Sequence, residues 1–291
     1  MSHFASPLIR TLARFAATDG RILQGYWSAP DDKPRMAVVL HAATGVPAGY
    51  YRAFVEWLAL AHGAAVLAYD YRDWGEGLDR PLREIQTRMS DWGLLDQDAA
   101  LTHAVAAFPD LPIRVVGHSL GGHWLAFHDR IDRVDRVVTV ASGPAHWLAH
   151  PLSKLPGVLS LWWLAGPAAT LALGYLPGRR LGLGADLPAG VFWQWRRWCL
   201  RTGYSRSDWG ARLPEPDLDK ARFDLDLIAI ADDWMIPPAV VWRLADFYPK
   251  AVSKRTLVEP KAFGLDAIGH LAVFRDRNRA AWPLIAASLT L

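Results

Sequence analysis

A chain of 291 residues with 52% hydrophobic content can bury one large core carrying an insertion, or two small ones, and the first is expected. With 32 Lys and Arg against 29 Asp and Glu, the net charge of +3 and pI near 9.1 create no field for a polyanion, so nucleic acid is not expected as a partner. A single cysteine, Cys199, excludes an internal disulfide framework and fits a reducing compartment, with the cytoplasm as the expected location.

In chain order, MSHFASPLIRTLARFAATDG lacks an apolar leader core and a cleavage signature, since Arg10 and Arg14 interrupt it, and reads as the start of the fold. RILQGYWS (21–28) is expected to form a hairpin with the preceding ARFAA, and MAVVLHA (36–42) a buried strand. A helix follows over 48–61, where Phe54, Leu58 and Ala61 share a face. AAVLAYD is the next strand, DYRDWGEGLDRP a loop, and 90–108 a helix with Ser90 or Asp91 as N-cap. Strands are expected at 113–118 and 136–142, after which the pattern breaks until LDLIAIADD (225–233). A helix over 238–248, the strand KRTLVE, a loop carrying His270 and a final helix complete the chain. This alternation of short apolar runs and helical segments is the pattern of a mostly parallel sheet covered by helices.

The run VVGHSLGGHW (115–124) places Ser119 between Gly117 and Gly121 at G-x-S-x-G spacing, after a strand and before a helix-compatible segment. That context is what a nucleophile elbow needs: a sharp strand-to-helix turn exposes the hydroxyl, and the flanking glycines let neighbouring backbone pass close by. The N–H of Leu120 would then point at an oxyanion. A phosphate-binding turn would instead carry G-x-G-x-x-G in the first βα unit, and none is present.

On these residues the chain resembles the α/β-hydrolase superfamily over nearly its whole length except about 143–220. More narrowly, HAATGVPAGYY, YLPGRRLGLGADLP and AIGHLAVFR resemble a group of bacterial predicted α/β hydrolases. The resemblance implies an α/β fold, a mostly parallel sheet with an inserted helical cap, divided into a core (1–142 and 221–291) and a cap (143–220). It also implies a triad in the order Ser, Asp, His. The acid is placed in LIAIADDWMIPP, where Asp233 fits the family spacing to Pro237 and Asp232 is the rival. The base is His270, the one histidine C-terminal to that pair. By the same analogy the second oxyanion donor belongs to the loop after MAVVLHA. There His41-Ala42 replaces the usual His-Gly, which points to the Ala43 N–H, with Thr44 as the alternative. Asp73 stands where the superfamily often has glycine and reads as structural.

The expected cap holds seven of the fifteen tryptophans, and Leu155 to Leu176 carries no charge over 22 positions. A full membrane span there would part Ser119 from Asp233 and His270, and Pro156, Gly157, Gly166, Pro167 and Gly174 are expected to interrupt it. An apolar lid that either touches a membrane peripherally or covers the substrate is expected instead, with Trp147, Trp162 and Trp163 binding substrate. FWQWRRWCLRTGYSRSDWG fits an amphipathic cap helix whose arginines meet an anionic substrate group. No spacing suggests a metal site, and no cofactor is expected. The expected function is a serine hydrolase of apolar carboxylic esters or thioesters working through an acyl-enzyme. An acyltransferase with the same triad, or a lipid or small-ligand binding protein with little turnover, is the alternative.

Overall fold

Two long alternating runs at the start of the chain pair with each other, and the runs that are apolar on both faces go to the middle of the sheet, where both faces can be covered. The computed structural model describes residues 7–290, so the first six residues of the N-terminal stretch lie outside it. β1 (Leu8–Ala16) and β2 (Ile22–Pro30) form the antiparallel hairpin. β3 (Met36–His41) and β4 (Ala64–Tyr69) are buried at every position, and β5 (Ile113–His118) and β6 (Val134–Val140) nearly so. A two-stranded piece, β7 (Tyr175–Leu176) with β8 (Leu187–Pro188), lies in the insertion. β9 (Asp224–Ile230) and β10 (Val252–Val258) complete the main sheet, whose eight strands run in the order β1-β2-β4-β3-β5-β6-β9-β10. From β4 to β10 all pairings are parallel, so the loops after β3, β5, β9 and β10 emerge at one edge, where sites of open α/β sheets are built.

Helices cover this sheet. α1 (Arg52–His62) buries Phe54, Val55, Leu58 and Ala59 and stops at Gly63, whose φ of 63° is a left-handed cap. α2 (89–107) contains a π-helical turn at Trp92–Asp96. Its N-cap is Arg88, two residues before Ser90 and three before Asp91. Asp91 serves from inside the helix, its Oδ2 accepting the Arg88 N–H at 2.8 Å, while the Ser90 N–H donates to Gln194 Oε1.

Between β6 and β9 lies α3 (Leu152–Leu173), which runs past Pro156, Gly157, Gly166 and Pro167 against expectation and is interrupted, as expected, at Gly174. The helix passes Pro156 near its start, where a missing N–H costs nothing, and accommodates Pro167 by a π-helical turn over Ser160–Leu164. It ends only at Gly174, at φ 76°. Its buried positions are Val158, Trp162, Gly166 and Thr170, a single stripe at four-residue spacing, so the helix lies on the protein along one edge. α4 (Ala189–Cys199), α5 (Pro238–Trp242) and α6 (Trp282–Thr290) follow.

The expected α-helix after Ser119 is absent. Short 3₁₀ turns at Ser119–Gly122 and Leu125–Phe127 replace it. The reason is Tyr248: its hydroxyl donates to the Gly122 carbonyl at 2.6 Å and accepts the Leu125 N–H at 3.3 Å, taking groups that an α-helix would pair internally.

Two glycines in helices test how space decides against propensity. Gly157 has nothing within 4 Å of where a β-carbon would sit, whereas at Gly93 that carbon would lie 2.1 Å from the buried Trp124 ring. Urea denaturation should therefore show Gly157→Ala stabilised by about 0.5–1 kcal/mol and Gly93→Ala destabilised by roughly 1–3 kcal/mol.

Candidate active site

Ser119 is held at φ 51°, a left-handed conformation that costs a residue with a side chain about 1–3 kcal/mol. The surroundings impose it. A β-carbon on Gly117 would lie 2.7 Å from the Gly121 carbonyl, and one on Gly121 would lie 2.1 Å from that of His41, so both flanking positions admit only glycine. The Ser142 hydroxyl donates to the Ser119 carbonyl and closes the turn from the β6 side.

The loops after β9 and β10 deliver the other two residues of the expected triad. His270 Nε2 lies 3.0 Å from Ser119 Oγ, and Nδ1 lies 2.8 Å from Asp233 Oδ2. The Asp233 side chain has no exposure and its Oδ1 accepts the N–H groups of Met235 and Ile236 at 2.8 and 3.0 Å. Asp232, in the turn that follows β9, faces the backbone of the histidine loop instead. It accepts the N–H of Ile268 at 2.9 Å and of Gly269 at 3.0 Å, Gly269 being at φ 64°. One carboxylate thus holds the imidazole and its neighbour holds the loop that carries it.

The two expected oxyanion donors fare differently. The Leu120 N–H has no acceptor among the described residues and opens the turn after Ser119. The Ala43 N–H, against expectation, donates to Tyr51 Oη at 2.9 Å and is spent there, because Tyr51 is fully buried against this loop. The Thr44 N–H, the alternative, has no acceptor among the described residues.

Tyr51 belongs to a chain of bonds that sequence reasoning missed. Its hydroxyl is 2.7 Å from His118 Nδ1, and His118 Nε2 is 3.0 Å from the His270 carbonyl. Since a carbonyl only accepts, the His118 proton sits on Nε2, Nδ1 accepts from Tyr51, and the Tyr51 oxygen is free to accept from Ala43. Burial, and secondarily the nearby His270, push the His118 pKa down to about 3, so this tether stays neutral. Only the position of His118 inside G-x-S-x-G hinted at a role; Tyr51, 67 residues away, carries no local signal.

His123 and His128 lie in the 3₁₀ region rather than on a helix, and both are buried, with pKa values lowered by desolvation to about 3 and about 4. His41 Nδ1 meets Tyr69 Oη at 2.8 Å. Among the described residues no three His, Cys, Asp or Glu side chains converge as a metal site would require. Asp73, at φ 53°, pairs with Arg21 at 2.8 Å and accepts from the Thr87 hydroxyl.

Of the three tryptophans expected to bind substrate, Trp162 is only 3% exposed, packed against Phe192 and Trp195. It fills the interior between α3 and α4, which removes it from any substrate surface. Trp147 and Trp163 pack edge to face at 5.2 Å, and Trp163 remains 42% exposed. This region touches the acid loop: His150 Nδ1 is 3.3 Å from the Trp234 carbonyl, and Lys154 Nζ sits 5.2 Å over the Trp234 ring.

Residues 32–185 match the family described as serine aminopeptidase, S33. No curated protein matches the chain. Among solved structures, it is similar to an esterase from Pyrococcus furiosus (TM-score 0.61, 16% identity, 97% of this chain and 90% of that one). It is also similar to a hydrolase from Pseudomonas aeruginosa PA01 (TM-score 0.56, 21% identity, 97% and 99%). A third is 2-hydroxy-6-oxo-6-phenylhexa-2,4-dienoate hydrolase from Rhodococcus sp. strain RHA1 (TM-score 0.58, 16% identity, 97% and 100%). At such identities they share the fold with this chain, which is that of the α/β hydrolases.

The division of labour between the two carboxylates is measurable by steady-state kinetics on an activated ester. Asp233→Asn should lower kcat by about four decades, as loss of the imidazole's orienting acid does elsewhere. Asp232→Asn, which weakens only the grip on Ile268 and Gly269, should cost roughly one decade. Equal losses would show that the two side chains share one role.

Proposed function

Because this chain belongs to the serine aminopeptidase, S33, family of α/β hydrolases, it is a hydrolase, and we propose that it cleaves carboxylic esters or thioesters with an apolar acyl part through Ser119, His270 and Asp233. The reading rests on the two contacts of His270, 3.0 Å to Ser119 Oγ and 2.8 Å to Asp233 Oδ2. As Ser119 Oγ attacks the carbonyl carbon, His270 Nε2 takes its proton, and Asp233 stabilises the imidazolium through Nδ1–H. The tetrahedral oxygen draws on the Leu120 N–H and, in place of the engaged Ala43, on that of Thr44. Collapse breaks the bond to the alcohol or thiol, which leaves with the His270 proton. Water activated by the same imidazole then frees the acid.

An ester is favoured over a peptide with a free amino terminus by the charge of the first part of the insertion. From Arg136 to Ala185 there is no Asp or Glu, so this stretch offers no carboxylate to an α-ammonium group. A fluorophosphonate probe should label the protein at Ser119, with Ser119→Ala unlabelled. Across p-nitrophenyl esters, kcat/KM should peak at intermediate length, about tenfold or more above acetate, since each buried methylene contributes up to roughly 0.8 kcal/mol. A monotonic fall from acetate would overturn the apolar-acyl assignment.

The same surface favours delivery of such substrates from a lipid surface. Leu152, Leu164 and Leu171 on α3 are 83, 69 and 76% exposed, with Leu148 and Trp163 beside them. Lys154 flanks this face at one end, and exposed Arg179 and Arg180 follow its other end, where Asp186 accepts the Arg179 N–H at 3.0 Å, so an apolar stripe lies within a net basic frame that suits anionic headgroups. In flotation, the protein should rise with phosphatidylglycerol vesicles and much less with phosphatidylcholine. Leu164→Glu with Leu171→Glu should abolish this while leaving hydrolysis of a soluble ester intact. Concentration-dependent dimerisation without flotation would instead assign the face to a second copy.

A further inference from the structure

The arginine-rich segment that follows α3 builds a second concavity. Gly190, Trp193, Gln194 and Arg197 fall at i, i+3, i+4 and i+7 on α4 and so share one helical face, which forms one wall of a cleft of about 480 Å³. Arg88 and Ser90 at the start of α2 and Arg212 from the loop beyond α4 complete it. Its floor is rigid: Gln194 and Ser90 are buried and exchange two hydrogen bonds, Ser90 N–H to Gln194 Oε1 at 2.7 Å and Gln194 Nε2–H to Ser90 Oγ at 3.0 Å. Gly190 lets α4 approach, since a β-carbon there would lie 2.5 Å from the Thr87 carbonyl. None of Ser119, Asp233 and His270 lines this cleft.

Three guanidinium groups and no carboxylate line the walls. Behind them Asp208, 1% exposed, is shared by Arg197 at 2.5 Å, Arg201 at 3.5 Å and Arg212 at 3.6 Å, and also accepts from Trp198 Nε1 at 2.6 Å. One carboxylate therefore stands against three cations. Arg88 has no ion pair among the described residues, and Asp91 spends Oδ2 on the Arg88 amide. Arg197 Nε is buried and has no hydrogen-bond partner, an uncommon state for a guanidinium N–H. A cleft lined by three guanidinium groups and no carboxylate is complementary to an oxyanion, which arginine forks bind through paired, charge-assisted hydrogen bonds.

We propose that this cleft is a binding site for a phosphate or carboxylate group, held by Arg88, Arg197 and Arg212, apart from the site around Ser119. The half-buried Trp193 ring on the same wall gives an organic anion an apolar surface beside its charged end.

Thermal unfolding at fixed ionic strength tests this without reference to any hydrolytic activity. Inorganic phosphate and succinate are the two probes, with chloride as control. At least one probe should raise Tm in a saturable way that chloride does not reproduce, as binding to the folded state alone requires. A response to phosphate only assigns a phosphate group, and a response to succinate only assigns a carboxylate. Arg212→Gln should raise the Kd obtained from that curve about tenfold, and Arg88→Gln with Arg212→Gln should abolish the shift. Both side chains face solvent, so the probe-free Tm of the double variant reports whether the fold is intact. Arg197→Lys, which keeps the charge facing Asp208 but removes the fork, should also weaken binding and serves if the double variant unfolds early. The proposal is overturned if neither anion outperforms chloride, or if the folded variants respond as the parent does.

Discussion

At Gly121 the chain passes so close to the carbonyl oxygen of His41 that a β-carbon there would lie 2.1 Å from it, and this approach limits how far the turn after β5 can stand from β3. The remaining geometry follows from it. With the turn pressed onto β3, Ser119 takes a left-handed φ, its hydroxyl is carried to the edge of the sheet, and the Leu120 N–H is left without an internal partner. Tyr248 holds the turn from behind through Gly122 and Leu125, so the segment has no need of a full α-helix to keep its shape. Backbone strain here is sustained by neighbours on several sides, which is how strained sites persist in folded proteins.

The loops that meet Ser119 are fixed by groups other than the side chains of His270 and Asp233. Asp232 and the neutral His118 grip the backbone on either side of the His270 side chain, one through Ile268 and Gly269, the other through the His270 carbonyl. Tyr50 adds a third hold, donating to the Leu271 carbonyl at 2.9 Å. Because His118 is tied through Tyr51 to Ala43, the loop after β3 and the loop after β10 share one buried chain of hydrogen bonds. Such support orients an imidazole more narrowly than its own rotamers would.

What was legible in the sequence was local. Strand runs, the glycine spacing around Ser119 and the order of Ser119, Asp233 and His270 are features of short segments, and their elements appear within a few residues of expectation. Side-chain destinations set by distant partners were not legible. The Ala43 N–H looks free until Tyr51 is folded against it, and Trp162 looks like a lid residue until Phe192 and Trp195 enclose it. The proline and glycine signals in α3 misled for a related reason. A π-helical turn absorbs Pro167, and packing of Val158, Trp162, Gly166 and Thr170 against the protein outweighs the propensities.

The four buried histidines around the elbow also couple the fold to the proton concentration. His41, His118, His123 and His128 all have their pKa values pushed below the ordinary 6.5, chiefly by desolvation, to about 3, about 3 and about 4 for the last three. Unfolding returns each imidazole to water, where it binds a proton near pH 6.5, so below that pH the unfolded chain holds more protons than the folded one and stability falls with acidification. Above about 6.5 both states are neutral at these positions and the penalty vanishes. Between about 6 and 4 each of the four adds its own slope, while Asp96 and Asp98, whose carboxyls burial raises to about 7 and about 6, act with the opposite sign, so the packing around the elbow sets acid-labile imidazoles against carboxyls that acid relieves.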